Sequence, residues 1–194
     1  MVAKYFFPDV HKKEIAQIAE AEPKYVVWPF PFWKWILDKG VKINEFSSID
    51  YTAWAVQGVA GLRKSVSEKE FKYYAENTKN LSAYAECIRE VFSHPNFHFH
   101  WQRPTFTDLQ KAFERGAVCE VLVDSHTLDE VKGFELHRLV VLDVQMDNVV
   151  VHDPRVRPME RHIKRNVPKA LFIKAWLEAV SNPELCTYEK EKAR

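Results

Sequence analysis

Cysteine is scarce in this chain and net charge is almost nil, and each shortage narrows what the protein can be. The three cysteines, Cys87, Cys119 and Cys186, are an odd number at wide spacing. They form no CxxC pair and no disulfide framework. A formal net charge of +1 gives no electrostatic reason to expect nucleic acid or an anionic membrane as a partner. No stretch approaches the roughly 18 consecutive apolar residues of a membrane span. The opening "MVAKYFFPDVHKK" also lacks the long apolar run of a signal peptide. A soluble protein of a reducing compartment, the cytoplasm, is the expectation. No repeat, linker or low-complexity segment divides the sequence, so a single domain over residues 1–194 is expected. That length buries a core without staples.

What the chain does have is aromatic weight: 13% of its residues, six of them Trp. Such content reads as a thick aromatic core before it reads as an aromatic ligand site. "MVAKYFF" has a helical spacing of apolar residues that stops at Pro8, and Asp9 can cap the helical pattern "VHKKEIAQIAEAE". In "WPFPFWKWILDKG" Pro31 suits a first helical turn and Gly40 a C-terminal cap. "VKINEF" alternates like a short strand. Three helical stretches follow: "DYTAWAVQGVAGLRKS", "SEKEFKYYAENTK" and "LSAYAECIREVFS", the second opening on the capping-box pair Ser67 and Glu70. "FHFHW" reads as a strand, "TFTDLQKAFERG" as a helix capped by Thr105 or Thr107, and "AVCEVLVDS" as a strand. "PKALFIKAWLEAV" closes as a helix, and residues 185–194, ending in "TYEKEKAR", are expected to fray. A helical half followed by a mostly antiparallel sheet half is an α+β layout.

Chemistry concentrates in "ELHRLVVLDVQMDNVVVHDP", residues 135–154, which reads as a hairpin with an imidazole and a carboxylate at its open end. If the turn is centred on Gln145, His137 lies opposite Asp153 on one face; centred half a residue earlier, His137 faces His152 instead. The first register makes an oriented imidazole, the second a weak metal hint. A structural ion pair competes with both. His98 and His100 share one strand face, yet no third ligand stands at local spacing, so no metal and no cofactor is expected. Cys87 and Cys119 fall on apolar stripes and read as quiet, buried thiols, and Cys186 lies near the expected frayed end.

The order of "IDYTAWAVQG", "PTFTDL", "VLVDS", the strand led by His137, "HDP" and the "ALFIKAWL" helix resembles the papain-like cysteine peptidases of the bacteriocin-leader (double-glycine) type, in particular their stand-alone relatives. The resemblance implies a papain-like α+β fold, with a helical layer packed on an antiparallel sheet. It implies His137 as general base and Asp153 as the group that orients it, serving a thiol that attacks a peptide-like carbonyl. It also places the nucleophilic Cys and the oxyanion-stabilising Gln just upstream of the "MVAKYF" helix, outside this sequence. Leu136 and Arg155 stand where the family usually has Gly, and Arg157 follows soon after. Two expectations result. One is a cysteine peptidase or amidase lacking its nucleophile and inactive as given, with an acyltransferase as a variant of the same triad. The other is a non-catalytic relative that binds a peptide or small molecule.

Overall fold

A computed structural model describes residues 1–22, 24–154 and 163–190. Along these the elements run α1 (Val2–Phe6), α2 (Lys12–Ile18), α3 (Phe30–Asp38), β1 (Val41–Ser47), α4 (Tyr51–Gln57), α5 (Val59–Ser65) and α6 (Glu68–Asn77). Then come α7 (Tyr84–Ser93), β2 (Phe97–Trp101), α8 (Phe106–Glu114), β3 (Val118–Asp124), α9 (Ser125–Leu128), β4 (Leu136–Val144) and β5 (Asn148–His152). β6 (Arg165–Pro168), α10 (Lys169–Ile173) with a π-helical turn at Lys174–Glu178, and β7 (Leu185–Lys190) complete the order. The fold is α+β. Its strands form one seven-stranded sheet in the order β2-β1-β7-β3-β4-β5-β6. The β7/β3, β3/β4, β4/β5 and β5/β6 pairings are antiparallel. No helix of the described residues is long and apolar enough to cross a membrane.

Local chemistry explains most boundaries. Ser67 Oγ accepts from Glu70 N at 3.2 Å while Glu70 accepts from Ser67 N at 3.4 Å, the reciprocal cap of α6. Thr105 and Asp108 do the same for α8, at 3.2 and 2.9 Å. Asp9, by contrast, caps nothing: His11 is the N-cap of α2 and offers no side-chain bond. The stretch from Tyr51 to Ser65 is two helices, because Gly58 turns the backbone to φ 64° between them. Gly61 then lets the two approach, since a Cβ there would lie 2.1 Å from the Ala53 carbonyl oxygen.

The chain divides into two compact units. Val2–Asn44 and Ser48–Phe99, with Lys190, make the helical unit. Its core is the aromatic one expected: Trp28, Phe30, Trp33, Tyr51 and Trp54 are buried. Trp28 and Trp54 meet edge-on at 4.7 Å and Phe30 and Tyr51 at 5.3 Å. Met1, Glu45–Ser47 and His100–Glu189 make the sheet unit. There Val121, Val123, Leu139, Val141, Val149 and Val151 pack on Leu109, Phe172 and Trp176.

The expectation of a frayed end is overturned up to Lys190. Leu185, Cys186, Thr187 and Tyr188 are fully buried in β7, which pairs with β3 from Val118↔Tyr188 to Val121↔Leu185. Pairing on both edges satisfies its backbone, Leu185 packs into the core of the sheet unit on one face, and on the other the Tyr188 hydroxyl donates to Glu120.

Candidate functional site

The hairpin of β4 and β5 carries the candidate site. Alternation puts His137, Leu139 and Val141 on the face that packs against Phe172 and Trp176. Val149 and Val151 share that face, and Asp153 continues their parity just beyond β5. At the end of this apolar floor His137 Nε2 lies 2.8 Å from Asp153 Oδ1. The Asp153 side chain is fully buried and that of His137 is 19% exposed. The structure thus brings together the two residues singled out in the sequence.

The path to that contact differs from the expected register. Gln145 N donates to Asn148 O and Val144 pairs with Val149, so the turn centres past Gln145, between Met146 and Asp147. A bulge between Val141 and Asp143 then shifts the ladder, giving Val141↔Val151 and Val140↔His152. Continued, that register sets Leu139 opposite Asp153, and His137 reaches the carboxylate diagonally. His152 stands across from Val140, not His137. Arg155 and Arg157 lie outside the described residues.

Against a carboxylate, which only accepts, Nε2 must be the donor, and the neutral ring then holds its lone pair on Nδ1. No hydrogen bond from a described residue reaches Nδ1. An imidazole held in one tautomer, partly open to solvent and with its basic nitrogen free, can take a proton from a nucleophile.

Three thiols exist and none stands at the dyad. Cys119 lies on β3 opposite Val141 and Thr187, toward the other end of the sheet, and burial pushes its thiol up to about 12. Cys186 is fully buried on β7, opposite Glu120, and burial raises its thiol well above the ordinary range. Cys87 sits on α7, only partly buried where a buried position was expected. Its thiol is pushed up to about 11, by burial first and then by the Glu90 carboxylate. His98 is exposed on β2, and His100 stacks on Phe46 with ring centroids 4.3 Å apart. Among the described residues no group of three or more His, Cys, Asp or Glu could hold a metal ion.

Beside the dyad, sequence reasoning missed a set of polar contacts that fix this end of the sheet. Ser125 donates to Glu135 Oε2 at 2.6 Å. Asp124 accepts from His126 N, Thr127 Oγ1 and Glu135 N at 3.2, 2.7 and 3.0 Å. Arg165, opposite Val151 on β6, donates to Asp129 Oδ1 at 2.6 Å and Leu128 O at 2.8 Å. These bonds tie α9 to the strand ends that present His137 and Asp153. The "VDS" after an apolar strand was the available signal, since Asp and Ser close turns through their own side chains.

No protein-family model, no curated protein and no solved structure matches the chain.

Proposed function

We propose that this chain is a cysteine peptidase- or amidase-like protein in which His137 is the base, Asp153 orients it, and the ligand is a peptide-like carbonyl compound. One observation carries the reading: a fully buried carboxylate 2.8 Å from Nε2 of a partly exposed histidine, with Nδ1 unengaged by any described residue. That is the orienting half of a triad, and it matches the roles the sequence resemblance gives the same two residues. With no thiol at the dyad, the chain as given is inactive as a hydrolase, and what the site retains is binding. The three thiols support this division. At pH 8 a thiol titrating at about 11 is thiolate in only about one molecule in a thousand, too few for a poised nucleophile.

The test uses short peptides containing a Gly-Gly pair, with the intact chain. Binding that falls at least tenfold in His137→Ala, no turnover, and no rapid labelling by a thiol-directed probe support the proposal. Turnover abolished by alkylation would return the nucleophile to Cys87, Cys119 or Cys186 and overturn it. Binding indifferent to His137→Ala would do the same.

A further inference from the structure

The opposite face of the sheet unit holds a group that the dyad does not use. β1 alternates, and the parity that buries Val41 and Ile43 also buries Glu45, at 0% exposure. Among the described residues neither Glu45 carboxyl oxygen meets a hydrogen-bond donor in bonding geometry, although the Cys186 thiol lies against it. The other charged or titratable groups facing it are Glu184, Arg138 on β4 and Glu120 on β3. Arg138 is shared: its Nη2 donates to Glu184 Oε2 and its Nε lies 4.0 Å from Glu120 Oε1. Glu120 is further engaged by the Tyr188 hydroxyl, which donates to it at 2.8 Å, and it draws on the Met1 amino group.

Three carboxyl groups therefore share one guanidinium, two of them at most 1% exposed. A carboxylate buried away from water, with its nearest guanidinium shared among other carboxylates, is strongly disfavoured as the charged form, so such a group either takes a proton or leaves. We propose that Glu45 is a proton-operated lock: as the neutral acid it lets the Glu45–Ser47 segment stay packed beside β7, and on losing its proton it releases that segment. The lock stands whether or not His137 serves a peptide.

The direction of the pH dependence follows from linkage. Burial first, and then the Glu184 carboxylate, hold the Glu45 carboxyl well above the usual glutamate range. A group whose folded pKa is raised binds its proton more tightly closed than open. Its stabilising contribution is complete below the ordinary glutamate pKa and is lost as pH rises through the raised one. Between those limits each pH unit favours opening about tenfold, the weight of one proton.

Amide hydrogen exchange across that window, corrected for intrinsic rates, tests the proposal. Protection at Glu45–Ser47 and Leu185–Tyr188 is expected to fall about tenfold per pH unit in the wild-type chain. In Glu45→Gln, which is isosteric and neutral, that fall is expected to vanish. Equal pH dependence in both chains, or none in the wild type, overturns the proposal. Carbon-13 titration of the Glu45 carboxyl in the wild-type chain decides independently of whether the variant folds. A carboxyl that titrates above the ordinary glutamate range supports the lock, and one that titrates within it refutes it.

Discussion

Strand β4 shows its two faces side by side, and they handle charge differently. On one, His137 ends a run through Leu139 and Val141, its ring partly exposed and its partner Asp153 sixteen residues away on the same hairpin. On the other, Arg138 is drawn on by Glu184, before β7, and Glu120, on β3, with the buried Glu45 of β1 beside them. The first arrangement engages one carboxylate and leaves one nitrogen without a hydrogen bond from any described residue. The second closes a buried network around more negative groups than positive ones. Partial exposure lets a charged pair act on something outside the protein, whereas full burial makes charge a matter of whether the sheet stays shut.

Removing Arg138 should produce the larger damage. Arg138→Met leaves the buried Glu184 carboxylate without its cation, and breaking such a pair costs about 3–5 kcal/mol. Urea unfolding of the variant measures it. A loss under about 1 kcal/mol would mean that this face tolerates unpaired charge, and the contrast between faces would collapse.

The dyad should be coupled more weakly. A double-mutant cycle of His137→Ala and Asp153→Ala should give an interaction energy of about 1.5–3 kcal/mol, the range for a hydrogen bond to a charged group. Additive losses would reduce the pair to neighbours that happen to touch.

Thr105→Ala supplies the smallest perturbation. It removes one arm of the cap of α8, whose Leu109 packs on the face of the dyad, and should cost about 1 kcal/mol without altering peptide binding. If binding to Gly-Gly peptides fell with it, the dyad's face would be less rigid than its packing implies.

How much of this could be read in advance depends on distance along the chain. His137 and Asp153 belong to one hairpin, so parity alone set them on a common face. The bulge near Leu142 moved their register by an amount no local pattern announces. Capping boxes at Ser67 and Thr105 are four-residue signals and were plain. The split at Gly58 was hidden because the apolar spacing runs through it, and only a positive φ marks the break. Glu45 was half legible, since "VKINEF" gives it the parity of Val41 and Ile43, but its companions come from three distant segments. β7 was misread because "TYEKEKAR" is polar and terminal, while its place in the sheet comes from β3 and β1, neither of which adjoins it in sequence.

The central claim is that Asp153 fixes Nε2 of His137 and leaves Nδ1 to meet a peptide. Nitrogen-15 NMR of the imidazole tests it directly, read with and without a saturating Gly-Gly peptide. The account predicts a proton on Nε2 in the free protein, a peptide-induced shift concentrated at Nδ1, and loss of both signatures in Asp153→Asn. A proton resident on Nδ1 in the free protein, or a ring whose signals ignore the peptide, would contradict it.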